Sequence, residues 1–259
     1  MRDSKKVMQT IVSPPWAGVR GLALAFLLLP SCAKIPPAGT FEPPKLLRVT
    51  FALRGEVQSS ETGLPYYYFV TINRTDDAGA SGPAPVVDRP WGNGFAAANS
   101  ATGQGFVGFV AFNYRGPGYQ VFSCESGGVL KNPVEGIFTP LGLPYQSTPV
   151  SRGSKTLSFQ VDLNTLPNKT LRYVQLNLIA TNNVPQGAEE APKLWDALGD
   201  GSSTGSLNQF ITFDTRQNQL RRNSDDRREP TQNDVRDHVN ALVDEPNLDI
   251  VDWEIEYRN

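Results

Sequence analysis

From residue 46 the chain alternates: Leu47, Val49, Phe51 and Leu53 fall on one side of an extended segment, and Arg48, Thr50, Ala52 and Arg54 on the other. A period of two marks a β-strand with one buried face. Residues 156–164 repeat it, with Leu157, Phe159, Val161 and Leu163 set against Thr156, Ser158, Gln160 and Asp162. In residues 248–257, Val251, Trp253, Ile255 and Tyr257 oppose Asp252, Glu254 and Glu256. Further strands are predicted at 66–73, 119–123, 172–181 and 209–214. Residues 105–114 are apolar on both sides, which predicts a central strand whose glycines let a neighbour come close. About eight strands with one dry and one wet face, separated by turn-rich segments, predict an antiparallel β-sandwich of two sheets rather than an α/β fold.

One amphipathic helix is predicted near the C-terminus, within residues 229–246. Thr231 and Asp234 have capping-box spacing, and Val235, Val239, Leu242 and Val243 share a helical face before Pro246 stops it. A shorter turn is expected at 193–198. The segments 76–104 and 125–149 are rich in Gly, Pro and small residues and exceed the roughly 15 residues usual for a plain connector.

Composition narrows the picture. The 259 residues suffice for one large domain, and 23 glycines and 21 prolines reinforce the turn-rich reading. A net charge of -2, with both signs scattered, supplies no basic stripe for nucleic acid.

The N-terminus carries Arg2, Lys5, Lys6 and Arg20 ahead of an apolar run at residues 22–29, which Pro30 ends. The run is well short of the roughly 20 residues that cross a bilayer and has the form of a secretory signal. It leads into Leu29-Pro30-Ser31-Cys32, which resembles the lipobox of bacterial lipoproteins. The resemblance covers residues 1–32 and implies cleavage before Cys32, a thioether-linked diacylglycerol on its sulfur and acylation of the new amino group. Ala33 and Lys34 follow, with no Asp after the cysteine, which resembles the default signal for the outer membrane of a Gram-negative cell. The expected organisation is a signal peptide at 1–31, lipidated Cys32 on a Pro-rich tether to residue 44, and one β-sandwich domain at 45–259. Its expected place is the bacterial cell envelope, with the membrane as partner through the lipid anchor. Cleavage removes four of the 24 basic and one of the 26 acidic residues, leaving 20 against 25. With Cys32 lipidated there is no disulfide framework, and Cys124 is expected to be a buried small hydrophobe.

Catalytic chemistry finds little support. Gly201-Ser202-Ser203-Thr204-Gly205 matches G-x-S-x-G, and Asp214 or Asp225 and then His238 follow in hydrolase order. That motif needs a strand, a sharp turn and a helix around the serine, whereas this one sits in a Gly/Ser-rich loop. One His and one remaining Cys cannot make a typical zinc site. Asp196, Asp200, Asp225 and Asp226 offer oxygens for calcium, but no EF-hand loop organises them, so neither metal nor cofactor is expected. Asp252, Glu254 and Glu256 read as a solvated strand face rather than a glycosidase pair. Aromatic residues give the alternative: Tyr66 and Tyr68 on one face of a strand, Tyr67 on the other, Trp91 in a loop and Tyr145 beyond could stack on sugar rings. The expectation is a non-catalytic binding or structural module. Carbohydrate or envelope-polymer binding is the first alternative and a hydrolase of unknown specificity the second.

Overall fold

The computed structural model describes residues 42–59, 66–80, 82–83, 106–124, 138–167, 170, 172–184, 193–199, 209–226, 232–237, 239 and 241–259. In chain order the strands are β1 (Leu46–Leu53), β2 (Tyr67–Thr75), β3 (Gly108–Phe112), β4 (Tyr119–Cys124), β5 (Phe138–Gly142), β6 (Gln146–Ser147), β7 (Thr156–Asp162), β8 (Tyr173–Thr181), β9 (Leu194–Ala197), β10 (Ile211–Asp214), β11 (Gln219–Arg222), β12 (Arg236–Asp237) and β13 (Ile250–Arg258). They form two antiparallel sheets. The smaller has the order β11-β13-β1-β7-β6; the larger runs β12-β9-β8-β2-β3-β4-β5, with β10 also paired to β8.

The predicted alternation sets the inter-sheet core. Val49 pairs with Ile255 on one side and Phe159 on the other, and Phe51 with Trp253 and Leu157, so each inward row of β1 continues across three strands. These rows meet Val70, Ile72, Val110, Leu176 and Leu178 of the larger sheet in one buried cluster. One detail of β13 departs from the alternation: a bulge at Ala52/Leu53 pairs Leu53 with Ile250, which is buried while Val251 is only half-buried. The extra residue in the bulge reverses the direction of the first side chain.

The centre of the larger sheet, β2, β3 and β8, is dry on both faces. Phe69, Phe109, Phe122, Phe138 and Trp195 form a second buried cluster on its outer side, with Phe109 stacked on Phe122 at 4.8 Å between ring centroids. Cys124 is buried in the same cluster. The strand predicted as central, β3, lies between β2 and β4, with all five of its residues buried. Gly108 is where the close approach occurs: a Cβ there would stand 2.7 Å from the Phe122 carbonyl oxygen and 2.8 Å from Leu166.

Two predicted elements take another form. The described residues of the expected 229–246 helix make an irregular β-hairpin: Val243 N–H donates to the Val235 carbonyl at 2.9 Å and Asp237 N–H to that of Ala241 at 2.9 Å. The Asp237 carboxylate caps the tip by accepting from Val239 N–H at 2.9 Å and Ala241 N–H at 2.8 Å. Of the four residues on the supposed helical face only Val235 is buried, while Val239 and Leu242 are exposed. Asn233 sits at φ 69°, outside helical geometry. The α-helix among the described residues is instead a single turn, α1 (Asn223–Asp226). The turn expected at 193–198 is strand β9, held by pairing of Trp195 with Thr181 and Ala197 with Ile179.

Gly108→Ala is expected to lower stability by about 1–3 kcal/mol, the usual cost of overpacking. Urea unfolding measures this, and an unchanged midpoint would contradict the close approach.

Candidate functional site

Two places in the fold combine unusual chemistry with a definite geometry. The first is the corner where the chain leaves the larger sheet at β5 and joins the smaller at β6. Leu143 and Tyr145 in this corner are 81 % and 63 % exposed, and Leu141 before them is also exposed. A cleft of about 320 Å³ lined by Phe112, Tyr119, Leu143 and Val150 lies on one side. A second of about 220 Å³, lined by Leu141, Leu143, Tyr145, Asp162 and Thr165, lies on the other. Tyr119 stiffens the floor by accepting a hydrogen bond from Ser158 N–H at 3.1 Å across the two sheets; burial pushes its phenol up to about 12. Asp162 is the one carboxylate among the described residues of these clefts, and its Oδ1 accepts from Lys45 N–H at 3.1 Å and Asn164 N–H at 3.0 Å.

The second place is buried. The alternation of β9 sends Trp195 and Ala197 to the outer cluster and Asp196 to the opposite face. There it meets Asp234, just before β12, and Asp249, just before β13; one oxygen from each lies within 4.8 Å of the other two. Asp196 and Asp249 are 0 % and Asp234 2 % exposed. Asp196 is fixed by Ala197 N–H, donating to Oδ1 at 2.8 Å, and by Ile250 N–H, donating to Oδ2 at 2.7 Å. Asp249 Oδ2 accepts from Asn233 N–H at 2.9 Å and from the Arg54 guanidinium, which also donates to Asp244. No other residue donates a well-formed hydrogen bond to either oxygen of Asp234 or to Asp249 Oδ1; the Asp234 carboxyl has the Asp249 carboxyl and its own amide beside it. Desolvation, then the charge of Asp234, holds the Asp196 carboxyl well above the carboxylate range. Desolvation, followed by the charge of Asp249 and a hydrogen bond to its carboxyl, raises Asp234 to about 7, against the Asp234 amide and a smaller pull from Arg236.

The sequence-predicted aromatics do not form an open platform on the strand. Tyr68 is 1 % exposed in the inter-sheet core; its hydroxyl donates to the Asn247 carbonyl at 3.0 Å and accepts from Gln58 N–H at 2.9 Å. Tyr66 is half-buried, its hydroxyl donating to Glu245 at 3.2 Å, and Tyr67 is half-buried against the outer aromatic cluster. Cys32, Trp91, Asp200, Ser203 and His238 lie outside the described residues. Asp214 is engaged by Arg172 at 2.9 Å and Arg216 at 2.8 Å. Asp225 is exposed on α1, and Asp226 pairs with Arg221 at 3.3 Å. On β13 Asp252 is exposed, while Glu254 and Glu256 pair with Arg222 at 2.7 Å and Arg258 at 2.8 Å, as a solvated strand face does.

Of the buried triad, the sequence singled out Asp196 alone. Asp234 read as a helix-capping residue and Asp249 as part of the last strand, and their separations in the chain match no ligand motif. Together the elements define a two-sheet antiparallel β-sandwich with an apolar corner and a buried acid triad. No protein-family profile, curated protein or solved structure matches the chain.

The raised Asp234 group sets a pH dependence. Unfolded, it titrates near 4; folded, it holds its proton to about 7. The folded state therefore binds more protons across that window, and stability falls as pH rises through it. In metal-free buffer the urea midpoint is expected to decline between about pH 4 and 7, and Asp234→Asn to flatten the slope. An equally steep slope in the variant would assign the effect elsewhere.

Proposed function

We propose that this chain is a lipid-anchored, non-catalytic binding module of a bacterial cell envelope, tethered through Cys32 and meeting its ligand at the β5–β6 corner. The observation that carries the binding role is the exposure of Leu143 and Tyr145, at 81 % and 63 %, between two clefts. Large apolar side chains projecting together beside concave surface mark interaction sites more often than chance placement does. The anchor rests on the lipobox-like Leu29-Pro30-Ser31-Cys32. The non-catalytic reading rests on the sequence, where Gly201-Ser202-Ser203-Thr204-Gly205 falls in a Gly/Ser-rich loop and not between a strand and a helix.

Carbohydrate is the second reading of the ligand. It is favoured by the exposed Tyr145 ring sharing a cleft with Asp162 and Thr165, a stacking surface beside hydroxyl-bonding groups. An envelope protein would use the same corner through Leu141 and Leu143.

Radiolabelled palmitate is expected to enter the protein in its bacterial host and to be lost in Cys32→Ala; unaltered labelling refutes the anchor. On an array of bacterial envelope glycans, and in pull-downs from envelope extracts, Leu143→Ser with Tyr145→Ala is expected to reduce capture at least tenfold, about 1.4 kcal/mol, without moving the unfolding midpoint. Capture indifferent to both substitutions removes the corner from the proposal.

A further inference from the structure

The triad of Asp196, Asp234 and Asp249 is an unusual thing to bury. Three carboxylates approach within 4.8 Å of one another in a region where each side chain is at most 2 % exposed. Like charges at this distance repel strongly away from water. Arg54 offsets part of the repulsion, but it approaches Asp249 Oδ2 and turns its other nitrogen to Asp244. Arg236, itself buried, draws on Asp234. No other residue donates a well-formed hydrogen bond to either oxygen of Asp234 or to the second oxygen of Asp249, and the Asp234 and Asp249 carboxyls are left facing each other. A buried carboxylate left so costs far more than one that is paired, and native folds rarely retain it without a ligand or a proton.

We propose that the triad binds one calcium ion, which clips β9 of the larger sheet to the start of β13 in the smaller and to the segment preceding β12. Two oxygens on one calcium at 2.3–2.6 Å stand no more than about 5 Å apart, and the three carboxylates meet that limit. Each of the three carboxylates offers one oxygen to the site. Asp196 is oriented by the Ala197 and Ile250 amides, which leaves lone pairs free on its oxygens. The donor set is all oxygen, which suits calcium rather than zinc. Magnesium keeps several of its waters and demands a strict octahedron, a poor match to a site this enclosed. The ligands come from positions 196, 234 and 249, which explains why no compact calcium loop is legible in the chain.

The purified full-length protein, stripped with EDTA, is titrated with calcium chloride by isothermal calorimetry and followed by thermal unfolding, with magnesium chloride in parallel. One calcium per chain is expected. The unfolding midpoint is expected to rise by roughly 5–10 °C at calcium about a hundredfold above Kd. Asp234→Asn and Asp249→Asn are each expected to abolish both signals, while Asp225→Asn, at an exposed acid outside the triad, preserves them. Should a triad variant fail to fold, the parent protein still decides: no heat and no midpoint shift up to 10 mM calcium, on the order of ten times the weakest extracellular sites, overturns the proposal. So do an equal response to magnesium, a stoichiometry other than one, or full calcium binding in a folded triad variant.

Discussion

Burial of both faces at the centre of the larger sheet is the constraint from which the other features follow. β2 and β8 pair along nine residues, and all but their first residues are buried, so this pair has no wet side. Every side chain on it must find partners within the protein. On the inner side the partners are the alternating rows of β1, β7 and β13; on the outer side they are aromatic rings meeting edge to face and in stacks. Polar residues on these strands satisfy the same demand locally: Asn73 donates to Gln175 at 3.0 Å, and Asn177 donates to the Pro83 carbonyl at 3.1 Å. Gly108 belongs to this logic, since a side chain there would occupy space already filled by β4 and Leu166.

The strands with one wet face were the most legible part of the sequence. In β1, β7 and β13 the buried positions are those the alternation nominated, apart from the bulge that turns Ile250 inward. Short edge strands were not legible. β5 contains Pro140 and Gly142, β6 has two residues and β11 is polar, so none carries a periodic signal. The failed helix is more instructive. Val235, Val239, Leu242 and Val243 do repeat at helical spacing, but burial of Asp234 and the positive φ of Asn233 fix the backbone by tertiary contacts that local pattern cannot register.

The two candidate sites differ in how they could be found. Tyr145 was already among the aromatics of interest, whereas the exposure of Leu143 follows from the route of the chain between sheets. The acid triad depends wholly on long-range assembly. Asp196 and Asp249 are 53 positions apart and meet because β9 and β13 border the same end of the sandwich. Tyr66 and Tyr68 illustrate the converse: residues with attractive chemistry were consumed by the core or by hydrogen bonds to the 245–247 turn.

The margins of the two sheets carry a consequence for the protein in crowded surroundings. The strand ends of both sheets are short or chemically awkward: β6 and β12 have two residues each, β5 has Pro140, and β11 has Arg221 and Arg222. An exposed strand edge is a template on which a second chain can add a strand, and brevity, proline and positive charge each blunt it. Neighbouring copies at high density therefore find little backbone to zip onto, and the sandwich keeps its strands to itself.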